Sequence, residues 1–318
     1  MGSFWNIIQI IIPGAIAYTI PLLMGALGGL YSERSGVTNL CIEGLMLFGC
    51  FSAAAIIVKL QAIGVNYTVA IIIGLLGAMF FSALLSFFHA LASIKFKADQ
   101  TISGTAINMV STALSLFLAQ TITGSGNITV VRSIIRYNIP ILSKIPLIGP
   151  LFFSQTYWTT WLCLLIWLLS WMLLYKTSFG LRLRASGEHP SAVASAGVSV
   201  HKMRYIGVLT SGILSGLGGA VILVTYAGEY NSSSGINGLG FLAIAALIFG
   251  QWKPLGILGS TAFFGLCMTL ANMGRVIPGL DTIPTGILGA FPYIATLVAL
   301  IFSSKKRRLV QQASLYKE

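Results

Sequence analysis

Nine apolar stretches leave this chain few ways to fold: Phe4–Leu30, Val37–Leu60, Val65–Ile94, Ile102–Ala119, Tyr157–Tyr175, Tyr205–Tyr226, Leu239–Gly250, Leu255–Met273 and Pro284–Phe302. All but the seventh approach or exceed the roughly 20 residues a helix needs to cross a bilayer core. Inside lipid every backbone N–H and C=O must be paired within the segment, so the spans are expected to be helices. With 56% hydrophobic and 8% charged residues, a soluble globular domain is excluded. The predicted fold is an all-α polytopic membrane protein, one bundle of about 8–10 transmembrane helices over residues 1–318, some of them discontinuous. Pro13 and Pro21 predict a kink in the first span.

The net charge of +12 would suggest nucleic acid in a soluble protein, whereas here it reports orientation. If the basic tail 303–318, carrying Lys305, Lys306, Arg307 and Arg308, is cytoplasmic, alternation of the spans puts thirteen basic residues inside. These include Arg34, Lys95, Lys97, Arg182, Arg184 and Lys253, with Lys317 adding one more. Lys59, Arg132, Arg136, Lys144 and Arg275 make five outside, as the positive-inside rule expects. The N-terminus is predicted outside. It lacks the basic region and cleavage site of a signal peptide, so the first span is expected to stay as a helix.

The run Lys176–Arg204 is the longest polar, basic stretch between two spans. Ser186 or Gly187 is a candidate cap for a short helix, with Glu188 near its positive end and Pro190 in its first turn. Pro190–Ala196 reads as about two turns of mostly small residues, and Gly197 supplies a left-handed stop. A face of Ala and Ser admits another protein's backbone, so the segment reads as a docking knob on the cytoplasmic side. The alternative is a solvated loop along the lipid headgroups.

Polar groups inside the spans are the other candidates. Glu43 is the one carboxylate well inside an apolar segment; it either serves a transport path or caps a broken helix. Thr101, Ser103, Thr105 and Asn108 form a polar stripe on one helix, suited to bonds across a bundle. Leu239–Gly250 is too short to span and follows a Gly-rich run holding Asn237, the form expected of a discontinuous helix beside a path. Asn39, Glu43, Asn108 and Asn237 are therefore the path candidates. GVTNLCIEG and GINGLGFLA start alike, a hint of internal duplication. Gly212, Gly216 and Ala220 stand at small-xxx-small spacing for packing within the bundle. Residues 121–156 form the long external segment, where Arg132 and Arg136 meet either acidic groups of a receptor or lipid phosphates. Trp158 and Trp171 suit the interfacial belts. Cys41, Cys50, Cys163 and Cys267 read as small buried hydrophobes.

Three stretches carry a resemblance. GEHPSAVASAG followed by HKMRYIGVLTSGILSGLGGA, then SERSGVTNLCIEGLMLFG and GINGLGFLAIAALIFGQWKPLG, resemble ABC importer permeases for nucleosides and simple sugars, relatives of ribose and branched-chain amino-acid permeases. The resemblance implies a type II importer-like architecture. It implies that Gly187, Glu188, His189, Pro190, Ala194 and Gly197 belong to a coupling segment seated in a cytoplasmic ATP-binding subunit. ATP and Mg would then be bound by that partner, with no cofactor in this chain. It also implies an external substrate-binding lipoprotein, a second and different permease chain, and a bacterial inner-membrane location. The motif SERSGVTNLCIEG is more similar to nucleoside permeases than to the sugar or amino-acid ones.

Two other functions compete. An ion-coupled secondary transporter would use intramembrane carboxylates or cation sites, of which only Glu43 qualifies. A membrane-embedded enzyme would need catalytic or metal groups, and His89, His189 and His201 show no metal-binding spacing. The chain also lacks a GxxxxGK[ST] phosphate loop, which leaves ATP hydrolysis to another chain. No catalytic, metal or nucleic-acid site is expected.

Overall fold

A computed structural model describes residues 2–273 except 141, 147, 233 and 234, together with 290, 291, 293 and 294. Helices α1 (Gly2–Arg34), α2 (Ile42–Ala62), α3 (Tyr67–Ala90), α4 (Gln100–Thr123) and α5 (Trp158–Lys176) come first. The short helices α6 (Ser178–Glu188) and α7 (Pro190–Ser195) follow, then α8 (Val200–Ile222), α9 (Leu239–Phe249) and α10 (Pro254–Met273). Helices α3 and α8 run on through π-helical turns, to Lys95 and Ala227. Among the described residues seven helices are long and apolar enough to cross a membrane, and α9 is a shorter apolar one. The chain is thus a multi-pass all-α membrane bundle. The span expected at Pro284–Phe302 and the basic tail lie almost wholly outside the described residues. Helix α1 passes without interruption through Pro13 and Pro21.

Two helices form the centre. In α1, Leu22, Leu23, Met24, Leu27 and Leu30 are fully buried. In α8, small residues let three neighbours approach at once. A Cβ on Gly216 would sit 2.5 Å from the Ala78 carbonyl oxygen of α3, and one on Gly49 of α2 would sit 2.5 Å from the Gly216 carbonyl oxygen. At Gly219 a Cβ would overlap the Met46 carbonyl. Close backbone approach of this kind drives association where lipid removes the hydrophobic incentive. Hydroxyls add to it: Ser82 Oγ donates to the Leu45 carbonyl at 2.9 Å and Ser86 Oγ to the Val208 carbonyl at 3.2 Å. The small-residue run of α8 therefore packs inside the bundle. The four cysteines are free and buried.

The bundle has two dissimilar ends. At one, β1 (Asn127–Thr129) pairs antiparallel with β2 (Glu229–Asn231), a ribbon that the all-helical expectation did not include. Arg136 Nε donates to the Tyr157 hydroxyl at 2.9 Å, which donates to the Thr225 carbonyl at 3.0 Å. Arg136 thus ties the 121–156 segment to the bundle through its Nε. Arg132 is exposed, and its carbonyl accepts from Gln61. The other end carries Arg34, the 91–97 turn, α6, α7 and the turn from α9 into α10.

Residues 178–188, which precede or include the candidate cap at Ser186 or Gly187, are themselves helix α6. Thr177 caps it by accepting from the Gly180 amide. Ser186 is no cap: its hydroxyl lies inside α6, 2.7 Å from the Leu183 carbonyl and 3.3 Å from that of Ser35. The α7 N-cap is His189, with no side-chain bond, and Pro190 fills the first turn, where its missing N–H costs nothing. Gly197 closes α7 at φ +75°, the left-handed stop expected of it.

Candidate functional site

The chain between α1 and α2 and the chain before α9 both break inside the bundle, and the two breaks meet. Helix α9 is eleven residues long, roughly 17 Å, about half the hydrocarbon core. It lies beside α1 in the same direction: Gly25 faces Ala243 and Gly29 faces Leu247. Its N-terminus would leave amides unpaired, because the first four N–H groups of any helix have no partner within it. Glu43, in the first turn of α2, supplies the acceptor. Oε1 accepts from the Gly238 amide at 3.1 Å; Oε2 accepts from those of Gly240 at 2.6 Å and Phe241 at 3.3 Å. The negative carboxylate also stands at the positive end of the α9 dipole. Of the two roles open to Glu43, capping a broken helix is the one the geometry displays.

The α1–α2 break is satisfied in the same manner. Asn108 of α4 donates to the Leu40 carbonyl at 2.9 Å and accepts from the Gly44 amide at 2.8 Å. Asn39 accepts from the Cys41 amide at 3.0 Å and donates to Ser211 of α8 at 2.8 Å. Gln100 accepts from the Thr38 amide at 2.8 Å. His89 lies with Nε2 3.2 Å from the Thr38 carbonyl and Nδ1 3.0 Å from the Ser103 hydroxyl. A carbonyl only accepts, so the ring proton belongs on Nε2. Irregular backbone at membrane depth persists only where protein groups pair with it, and these four side chains do so.

Asn39, Glu43 and Asn108 thus converge on one junction, with Asn237 just before the α9 cap. Asn237 is exposed, at φ +55°, and its carbonyl accepts from the Tyr293 hydroxyl at 2.9 Å. Glu43 and Asn108 spend their polar atoms on backbone, and Asn39 divides its own between the Cys41 amide and the Ser211 hydroxyl. His89 and Gln100 were missed as members of this junction. Neither stands in a motif; Gln100 directly follows Asp99, whose side chain caps α4 by accepting from the Thr101 and Ile102 amides.

At the basic end α6 is pinned to α1. Gly187 packs so closely that a Cβ would sit 2.5 Å from the Arg34 carbonyl oxygen. Glu188 pairs with Arg34 at 3.2 Å. Arg34 also donates to the Trp252 carbonyl at 2.9 Å, which accepts from the Tyr175 hydroxyl at 3.2 Å, and the Trp252 indole N–H donates to Glu33. On α7, Val193 is buried, Ala194 and Pro190 are half-buried, and Ser191, Ala192 and Ser195 are exposed, as are Ala196 and Gly197 beyond it. The outward face is therefore small and polar, but Ala194 is not at its centre. Among the described residues no group of His, Cys, Asp and Glu is placed to hold a metal ion.

Residues 11–301 match the family model described as branched-chain amino acid transport system / permease component. A guanosine ABC transporter permease protein of Bacillus subtilis, NupQ, is 43% identical over 93% of this chain and 92% of its own length. A nucleoside ABC transporter permease protein of Lactococcus lactis, NupC, is 39% identical over 93% and 92%. A second guanosine ABC transporter permease protein of B. subtilis, NupP, is 25% identical over 91% of this chain and 80% of its own.

Proposed function

The chain belongs to the family of branched-chain amino acid transport system permease components, as an ABC importer permease subunit, and from that premise we propose that it conducts nucleosides. The observation that carries the substrate class is the full-length similarity to two relatives whose names specify guanosine and nucleosides. The importer architecture implies a cytoplasmic ATPase and an external substrate-binding protein. A second, different permease is proposed because one organism holds two guanosine permeases, of which one is much more similar to this chain than the other. The bundle sits in a bacterial cytoplasmic membrane with Arg34, α6 and α7 facing inward and residues 121–156 outward. In this reading α7 and its flanks, from Gly187 to Gly197, dock on the ATPase. Asn237 is the path candidate whose residue is exposed; Asn39, Glu43 and Asn108 shape the path by holding its backbone.

Reconstitution tests this. Liposomes holding this chain, the second permease, the ATPase and the binding protein are expected to take up labelled guanosine only with ATP. The chain alone is expected to accumulate nothing under an ion gradient; gradient-driven uptake by it would overturn the reading. For substrate class, nucleosides are expected to raise the melting temperature of the cognate binding protein. A shift with ribose or leucine and none with guanosine would overturn that part.

A further inference from the structure

Helix α9 is held at both ends by side chains of other elements and flanked at both ends by unusual backbone. Asn237 and Gly238 before it have φ of +55° and +75°; Gln251 and Trp252 after it both have φ of +52°. Non-glycine residues seldom adopt positive φ, so each flank is a sharp, defined corner and not a continuation of helix. Between the corners lies a rigid rod of eleven residues.

The lower corner is held by Arg34, together with Tyr175 on the same carbonyl and Glu33 on the Trp252 indole. One guanidinium nitrogen donates to the Trp252 carbonyl, and the other pairs with Glu188. Glu188 is the last residue of α6, separated from α7 only by His189. The upper corner is held by the Glu43 carboxylate at the start of α2. A connection therefore runs from α7 along the backbone to Glu188, through the Arg34 guanidinium to the Trp252 corner of α9, and from the start of α9 through Glu43 to the junction of broken helices. Its links differ in strength. Glu43 binds three amides of one helix start, whereas Glu188 is 61% exposed and its pairing is screened by water. The Arg34 side chain is only 19% exposed and stays with Trp252.

We propose that Arg34 is the positioning residue that carries movement of α7 to α9, so that α7, the Arg34 guanidinium and α9 travel as one body relative to α3. The proposal rests on the reading that α7 docks on the ATPase. A displaced α7 pulls Glu188; Arg34 passes the pull to the Trp252 corner; α9 then shifts its N-terminus at the Glu43 junction. A guanidinium suits this place because its planar fork serves two acceptors in fixed directions at once.

The test uses the assembled importer with spin labels on cysteines placed at Ser191 of α7, Ile248 of α9 and Phe88 of α3, all exposed. Between nucleotide-free and ATP-trapped states, the 191–248 distance is expected to hold constant while 248–88 changes. In Arg34→Gln, 191–88 is expected to change and 248–88 to stay fixed. Guanosine uptake per ATP hydrolysed is expected to fall about tenfold or more in that variant, the worth of a hydrogen bond to a charged group. Arg34→Lys restores part of the ratio, and Glu188→Gln lowers it about two- to fivefold, as for an exposed ion pair. A 191–248 distance that varies in the wild-type complex would overturn the proposal. So would an uptake-to-hydrolysis ratio unchanged in Arg34→Gln. Loss of ATPase co-purification in Arg34→Gln would overturn it too, by making Arg34 a static brace for α6. Failure of the docking reading itself shows separately, as full co-purification with Ala192→Arg.

Discussion

The Glu43 carboxylate stands 2.6 Å from the amide of Gly240, and a Cβ on Gly240 would collide with the Glu43 backbone. Two helix starts thus touch through one charged side chain and one missing side chain. Each would be unfavourable alone: α2 would bury a carboxylate in an apolar span, and α9 would bury unpaired amides. Together they cancel, which explains a glutamate here without giving it a cargo to bind.

Removing that carboxylate is expected to weaken the bundle from its middle. Glu43→Ala leaves the amides of Gly238, Gly240 and Phe241 without their acceptor, at a cost of about 1–3 kcal/mol for each group that stays buried and unpaired. Glu43→Gln keeps an acceptor oxygen and is expected to cost less. Thermal unfolding of the detergent-solubilised chain orders the variants as wild type, Gln, Ala. Equal melting of Ala and wild type would show that α9 does not depend on this cap.

Glycine packing gives a contrasting pair on two helices. Gly219→Ala drives a methyl into the Met46 carbonyl of α2, and overpacking of a fitted contact costs about 1–3 kcal/mol or more. Gly259 of α10 has nothing within 4 Å of an added Cβ. Gly259→Ala is therefore expected to be neutral or stabilising by up to about 1 kcal/mol, through helix propensity. The melting temperatures of the two single variants check this directly.

Sidedness follows from the two ends. Arg182, on α6, and Arg132, in the 121–156 segment, are both exposed. With cysteine at each in turn, an impermeant reagent applied to intact cells is expected to label position 132 and spare 182. Inverted vesicles reverse the pattern. The native cysteines are buried and contribute little background. Labelling of 182 from outside would invert the bundle.

The spans were legible because hydropathy reports the solvent directly: α4, α5 and α10 begin and end within a few residues of their expected limits. The short α9 was legible for the same reason. What sequence did not display is which polar group answers which backbone break. Glu43 reaches a helix start about 195 residues away, and Asn108 serves amides and carbonyls some 64–68 residues away. No local pattern encodes such pairings, since each is set by how α2, α4 and α9 come to lie together. Ser186 read as a cap because the start of its helix lies nine residues earlier, at Thr177, and the end of that helix packs Gly187 against the Arg34 carbonyl. The small outward face of α7 was legible, but not which alanine stands on it.

That last distinction decides how α7 is to be tested. Ala194 is half-buried beside the buried Val193, so Ala194→Arg forces a long charged side chain partly against the bundle. It is expected to disturb folding and docking together. Ala192 is exposed among the described residues, so a change there leaves their packing alone. Surface substitutions away from contacts usually stay within about 0.5 kcal/mol, so Ala192→Arg is expected to leave the melting temperature of the isolated permease unchanged. Against a fitted partner groove the same change costs about 1–3 kcal/mol, and each 1.4 kcal/mol is about tenfold in affinity. Co-purification of the ATPase is therefore expected to drop about tenfold or more with Ala192→Arg at equal expression. Ala192→Ser, which keeps the face small, is expected to retain it. Full retention with Ala192→Arg would make α7 a headgroup-facing loop helix and remove it as the docking element.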